Sequence, residues 1–336
     1  MDKDIVLEVK NLSVSFYTDQ RKNTAIRDVS FTARRGKTLC VVGESGCGKS
    51  VSASAIMRLL PELSRIESGE INYYGRGEPI RMDKLDPDGE LIRQIRGGDI
   101  AMIFQDPMTA LNPVYTIGYQ ISENLLEHNK GMKKSEALDK SVQLLKAMGI
   151  PMPEQRVNEY PHQFSGGMRQ RAMIAMAMAC NPQLLLADEP TTALDVTVQA
   201  QIFELMADLK TNYNAAVILI THDMGVVTEL ADNVSVMYMG YVVEEGSVDE
   251  VLRTPAHPYT KALLSSIPVL GRGRNQDLQP IRGATPDPFH RPPGCQFEPR
   301  CDYAAPQCTQ AMPEREHVDG EHYVRCFRYK EVLKNE

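Results

Sequence analysis

Residues 38–50 read TLCVVGESGCGKS: a nearly all-apolar run enters a glycine-rich turn, and apolar residues then recur at helical spacing (Ala53, Ile56, Met57, Leu60). A strand apolar at every position is covered on both faces, which calls for a parallel sheet flanked by helices. Strand, glycine-rich loop and helix in that order make a phosphate cradle, because glycines let backbone N–H groups converge on the anion and the helix adds its positive N-terminal end. The expected phosphate-contacting residues are Gly43, Glu44, Ser45, Gly46, Cys47, Gly48, Lys49, Ser50 and Val51. Lys49 reaches the β- and γ-phosphates and the Ser50 hydroxyl holds Mg²⁺ in such a loop. Cys47 reads first as a tolerated small residue; its place beside a helix N-terminus and Lys49 is also a setting that lowers a thiol pKa, a second reading that predicts alkylation with loss of ATP binding.

A second buried strand, LLLAD at residues 184–188, ends in the pair Asp188–Glu189. A carboxylate at the C-terminal end of such a strand binds Mg²⁺ through water, which assigns that role to Asp188. Its neighbour Glu189 then faces the terminal phosphate, where it polarises the attacking water.

The same apolar texture returns in AAVILIT at residues 215–221, and Ile202, Leu205, Met206 and Leu209 mark an intervening helix. Leu12, Val14 and Phe16 alternate with Ser13 and Ser15, the pattern of an antiparallel strand with one wet face. Residues 117–149 carry helical spacing and no buried strand, so an insertion over about 107–163 is helical. Short alternating segments over 232–246 predict a small meander. The fold class is therefore α/β: a phosphate-loop core with an antiparallel β subdomain and a helical subdomain, followed by a small cysteine-rich C-terminal domain. We place the nucleotide-binding domain at 1–250 and the extension at 251–336, with a Gly- and Pro-rich linker near 271–294.

With 336 residues the chain is long enough for about two domains. Lys+Arg 37 against Asp+Glu 44 gives a net charge of −7, the wrong sign for affinity built on nucleic-acid phosphates. No apolar run reaches bilayer length; residues 172–180 follow an arginine and are too short. The start MDKDIVLEVK lacks the cationic segment, apolar core and cleavage site of an export signal, which predicts a cytosolic chain. LDPDGE at 85–90 lacks the ligand series of a calcium loop and reads as a turn. Met173, Met176 and Met178 read as core fillers.

A third string, FSGGMRQR at 164–171, resembles the LSGGQ signature of ABC ATPases, and its Ser165, Gly166 and Gly167 open an apolar helix whose amides can bind phosphate. The remaining motifs follow in the superfamily's order: Gln105 in AMIFQDP resembles the Q-loop, Ala193–Leu194–Asp195 the D-loop, and His222 in LITHD the switch histidine. The resemblance implies two ATP molecules sandwiched between two such domains, each held by the loop of one and the signature of the other. It implies catalytic roles for Glu189, His222 and Gln105, with Ser50, Gln105 and Asp188 around Mg²⁺. It also implies an aromatic stacked on adenine, Phe16 in the best register and Tyr17 next. Phe164 and Met168 depart from the usual Leu and Gln of the signature.

The stretch PAHPYTKALL at 255–264 and the late cysteines resemble the ATP-binding subunits of oligopeptide and dipeptide ABC importers, a family that also includes nickel and glutathione systems. FQDPMTALNP and FSGGMRQR are similar to the D-type member of such a pair. The resemblance implies an ATPase that powers import of di- and oligopeptides, peripheral at the cytoplasmic face of the inner or plasma membrane. Its implied companions are a similar ATP-binding subunit, two transmembrane permease subunits and, indirectly, an extracytoplasmic binding protein, with no nucleic acid. The alternatives are a soluble ABC ATPase of DNA repair or iron–sulfur assembly, whose DNA version the acidic balance and the lack of a long coiled-coil insertion disfavour, and an importer of nickel or glutathione instead of peptide. Cys295, Cys301, Cys308 and Cys326 are spaced C-x5-C-x6-C-x17-C, which suits zinc or an iron–sulfur cluster alike. The resemblance favours [4Fe–4S], with zinc as the alternative.

Overall fold

The computed structural model describes residues 4–18, 21–106, 110–191, 196–266 and 280–334. Two sheets organise them. The first is antiparallel, in the order β2 (Lys22–Arg34), β1 (Ile5–Tyr17), β4 (Ser64–Tyr73) and β5 (Ile80–Arg81). The second has eight strands in the order β11 (Glu316–Asp319), β12 (His322–Val324), β10 (Tyr241–Ser247), β9 (Asn233–Tyr238), β3 (Thr38–Val42), β8 (Ala216–Thr221), β7 (Leu184–Asp188) and β6 (Ile100–Ile103). From β9 to β6 the pairs are parallel; β9–β10, β10–β12 and β11–β12 are antiparallel.

Every residue of β3, β7 and β8 is buried, and the pleat divides them between two cores. Cys40, Val42, Leu185, Ala187, Val217 and Leu219 face the helical side, while Leu39, Val41, Leu184, Leu186, Ile218 and Ile220 face the antiparallel sheet. Successive side chains of a strand point to opposite faces, so an all-apolar strand is what a central position in this sandwich requires. The expected helical insertion contains helices Ile117–His128 and Lys134–Ala147, which pack with Gly166–Met178. The segment expected to be a meander is the β9–β10 hairpin. Residues 85–89 form the expected turn, with the Gly89 N–H donating to the Asp86 carbonyl at 3.0 Å. Met173 is 1% exposed in the helical core, against which Met176 and Met178 also pack.

The C-terminal residues differ from the separate cysteine-rich unit expected. Their hairpin β11–β12 extends the main sheet from β10, and Tyr259, Cys295, Phe297 and Cys308 belong to the helical-side core. Among the described residues a small satellite cluster (Ala256, Val324, Cys326) lies apart. The buried Glu244 carboxylate of β10 fastens the start of this region by accepting from the N–H groups of Ala256 (2.6 Å) and His257 (2.9 Å) and pairing with His322 (2.7 Å). Burial pushes the His257 pKa down to about 3, so the ring stays neutral and its Nδ1 accepts from Tyr259 N–H as the cap of helix Pro258–Ser265. Among the described residues no helix is long and apolar enough to cross a membrane.

Candidate functional site

The parallel register sets the site. Val42 pairs with Thr221, Ile220 with Asp188, and Ala187 with Ile103. The loops leaving β3, β8, β7 and β6 therefore emerge side by side at the C-terminal edge of the sheet, where ligands bind in open α/β folds.

After β3 the chain turns through Gly43 (φ 150°), Gly46 (φ 79°) and Gly48 (φ 108°) into helix Lys49–Ile56. A Cβ on Gly43 would meet the Met237 carbonyl oxygen at 2.1 Å, and one on Gly48 would meet Ile26 Cγ2 at 2.4 Å, so neither position admits another residue without displacement. No side chain caps the helix N-terminus, which leaves its first N–H groups available to an anion. Lys49 is 5% exposed, and its ammonium folds back onto the carbonyls of Gly43 (2.8 Å) and Glu44 (3.2 Å). Cys47 corrects the sequence reading. Its side chain is buried, and burial raises its thiol pKa against the opposing pull of Lys49, so it is no reactive thiolate.

Asp188, at the end of β7, is 5% exposed and its Oδ1 has no hydrogen-bond partner. Burial raises its pKa; the nearby Ser50 hydroxyl and Lys49 oppose the rise, and Glu189 adds to it. An orphaned buried carboxylate oxygen beside a serine hydroxyl is a donor set that fits a hard divalent cation such as Mg²⁺.

Glu189 follows with a left-handed backbone (φ 45°) fixed by its N–H donating to the Ile220 carbonyl at 2.9 Å. One of its carboxylate oxygens accepts from Gln105 Nε2 at 2.9 Å and the other lies 3.3 Å from His222 Nδ1. Three residues picked out separately along the sequence thus meet at one carboxylate. His222 is aimed by the turn that follows β8: Asp223 N–H donates to Thr221 Oγ1 (3.0 Å), and the Asp223 carboxylate caps the next helix through Gly225 N–H (2.8 Å).

Ser165 caps helix Gly166–Met178, its hydroxyl accepting from Met168 N–H at 3.3 Å. Gly166 is open to solvent, with nothing within 4 Å of where a Cβ would stand. The departures from the usual signature have local reasons: Phe164 is 3% exposed and anchors the turn, and Met168 packs against the helical-side core. Gln170 ties this helix to the Glu189 loop by donating to the Pro190 carbonyl. The D-loop residues Ala193, Leu194 and Asp195 lie outside the described residues. Phe16, partly buried, packs against the core on the antiparallel-sheet side, which also contains Val14, Ile26 and Cys47 of the loop. Tyr17 is engaged elsewhere, bonded to Glu67 and flanked by Lys22 and Arg65.

Residues of the C-terminal region reach this site in a way that no local motif announces. Tyr259, Thr285 and Arg300 all bond to Glu44 of the phosphate loop. The four late cysteines line one small pocket with His257, Phe297 and Arg328. Burial pushes Cys295 up to about 11 and Cys301 and Cys326 up to about 12. Among the described residues, no three His, Cys, Asp or Glu side chains stand close enough to hold an ion. The donor types suit a soft metal, but as placed they do not form its shell.

The family model described as "ABC transporter" matches residues 26–192, and that described as "Oligopeptide/dipeptide transporter, C-terminal region" matches residues 243–308. The chain is 46% identical to a probable peptide ABC transporter ATP-binding protein of Sinorhizobium fredii, over 98% of this chain and 97% of that one. It is 47% identical to the dipeptide transport ATP-binding protein DppD of Haemophilus influenzae (96% and 94% covered) and 49% identical to the oligopeptide transport ATP-binding protein OppD of Bacillus subtilis (96% and 88%). Among solved structures it resembles a dimeric ATP-binding cassette in a post-hydrolysis state bound to ADP and Pi, with TM-score 0.64 and 28% identity over 72% of this chain and 98% of that one.

Proposed function

The chain belongs to the ABC transporter family of ATP-binding proteins, and from that premise we propose that it hydrolyses ATP to drive import of di- and oligopeptides through a membrane permease. The observation that carries the reading is Glu189, held between Gln105 and His222 beside the phosphate loop. In this reading the amides of residues 43–51, apart from the Glu44 N–H that donates to the Tyr259 hydroxyl, and the Lys49 ammonium bind the triphosphate, and Phe16 stacks on adenine. Lys49 must exchange two carbonyls for phosphate oxygens, a trade of neutral for charged acceptors that favours the nucleotide. Asp188, Ser50 and Gln105 would hold Mg²⁺, which would supply neutralisation of the triphosphate charge. Glu189 accepts a hydrogen bond from the attacking water and aligns it with the γ-phosphorus, while His222 contacts the γ-phosphate. Gln105, bonded to Glu189, reports from the helical insertion whether that carboxylate is engaged. Ser165, Gly166 and Gly167 offer their amides to the nucleotide of a second, similar subunit, here the F-type partner of a D-type chain. Closure of the pair works two permease subunits from the cytoplasmic face, and an extracytoplasmic binding protein selects the solute. Residues 1–250 and 251–336 are proposed as two functional segments of one packed body, the second joined to the main sheet through β10 and β12.

Affinity purification of the tagged chain from detergent-solubilised membranes tests it. A similar ATP-binding subunit and two permease proteins are expected, together with loss of labelled-peptide uptake when the gene is deleted. Recovery without membrane companions, or deletion that spares peptide uptake and abolishes that of nickel or glutathione, overturns the peptide assignment.

The pocket of Cys295, Cys301, Cys308 and Cys326 is proposed to take a [4Fe–4S] cluster, with zinc as the alternative, after rearrangement of its thiols; no step of hydrolysis runs through it. Anaerobically purified protein is expected to be brown and to carry iron and acid-labile sulfide, both lost in Cys301→Ser. Stoichiometric zinc in colourless protein replaces iron, and metal-free protein with all four thiols titratable removes the site.

A further inference from the structure

All four hydrogen-bonding groups of Glu44 are used. Its N–H donates to the Tyr259 hydroxyl at 2.8 Å, and its carbonyl accepts from Lys49 Nζ at 3.2 Å and Cys47 N–H at 3.3 Å. Its carboxylate receives Arg300 in a fork, Nη1 to Oε2 at 2.7 Å and Nη2 to Oε1 at 3.0 Å, and the Thr285 hydroxyl at 3.2 Å. Arg300 is itself fixed. Its side chain is 4% exposed, Nε donates to the Arg282 carbonyl at 2.9 Å, Nη1 reaches Tyr238 Oη at 3.2 Å, and the guanidinium lies 5.8 Å from the ring centres of both Tyr238 and Phe297. Tyr259 is fully buried and packs on the same two rings.

We propose that Arg300 and Tyr259 are positioning residues of the nucleotide site, through which the C-terminal region holds Glu44 and with it the phosphate-binding conformation of residues 43–48. The inference rests on the reading of that loop as the triphosphate cradle. Two physical arguments carry it. The loop contains Gly43, Gly46 and Gly48, so its free ensemble is broad, and anchoring one end before the ligand arrives reduces the ordering that binding must drive. A carboxylate one residue after Gly43 also repels an incoming tetra-anion unless a cation neutralises it, and a bidentate buried guanidinium does so in fixed geometry.

Arg300→Ala is expected to weaken Mg-ATP binding, read with a fluorescent ATP analogue, by about 10-fold, and to raise KM far more than it changes kcat. Because the damage includes a freed negative charge, adding Glu44→Gln to Arg300→Ala is expected to recover the part of the lost affinity that this charge accounts for and to leave the part owed to the missing anchor. A purely structural arginine would lower the melting temperature with no such rescue. Arg300→Ala with parental affinity, or a double variant no better than the single, overturns the proposal. If Arg300→Ala does not fold, Tyr259→Phe keeps the ring packing and removes only the acceptor for Glu44 N–H; a severalfold loss of affinity supports the anchor and unchanged affinity overturns it. Lys49→Ala separates the two readings. If it binds nucleotide like the parent, the cradle assignment fails; if it loses nucleotide while the Arg300 and Tyr259 variants do not, only the anchor fails.

Discussion

Glu189→Gln is expected to bind Mg-ATP with near-parental affinity and to lower steady-state hydrolysis by about 10²–10⁴-fold, the usual contribution of a positioned general base. The substitution keeps the shape of the side chain. The amide oxygen can still accept from Gln105 Nε2 as the carboxylate does at 2.9 Å, so the loop after β7 keeps its anchor. What disappears is the negative charge that draws a proton from water. Binding is spared because the groups assigned to the triphosphate, the loop amides and Lys49, do not touch this carboxylate: Lys49 bonds to Gly43 and Glu44. The loss should appear in kcat, and, since the proposed cycle has hydrolysis reopen the paired subunits, a stable ATP-loaded pair should accumulate in size-exclusion chromatography. Parental turnover in this variant would move the base elsewhere, with His222 the first alternative at 3.3 Å from the same carboxylate.

The parts of this site that are legible in sequence are those whose chemistry is local. The strand TLCVV and the turn GESGCGKS are contiguous, and their glycines are required by φ values and by Met237 and Ile26 at contact distance. Glu189 and His222 directly follow buried strands, while Gln105, two residues beyond β6, is legible only through the resemblance of AMIFQDP to a superfamily motif; that the three meet at one carboxylate depends on the β6–β7–β8 register. Cys47 misleads for a physical reason. The sequence displays its cationic neighbours but not its burial, and burial dominates. The C-terminal hairpin is invisible because EHVD and HYV are too short and polar to show strand alternation. The Arg300–Glu44 pair spans 256 residues. No spacing rule links such positions; only the packing of Tyr238, Tyr259 and Phe297 beneath them brings the guanidinium to the loop.

Asp188→Asn is expected to act in opposite directions on stability and on function. In the free protein this carboxylate is a liability: it is 5% exposed, one oxygen lacks a partner, and burial raises its pKa. A group whose folded pKa lies above its unfolded value favours folding at low pH, and that contribution is lost as pH rises through the folded pKa. Replacing the carboxylate with a neutral amide should therefore move the urea midpoint of the nucleotide-free protein, measured in EDTA, upward at neutral pH. The gain should shrink toward acid pH, where the aspartate is protonated in both states. Hydrolysis should fall by about 10²–10³-fold, the scale of losing one preorganised electrostatic contact in a transition state, because an amide oxygen is a poor substitute for a carboxylate at a divalent ion. The Ser50 hydroxyl remains, so raising Mg²⁺ should recover only part of the rate. A native protein that keeps a buried, underbonded charge at the cost of its own stability is expected where that charge has a partner during turnover. An Asp188→Asn variant both less stable without nucleotide and fully active would mean that the carboxylate is structural and that the cation is held elsewhere.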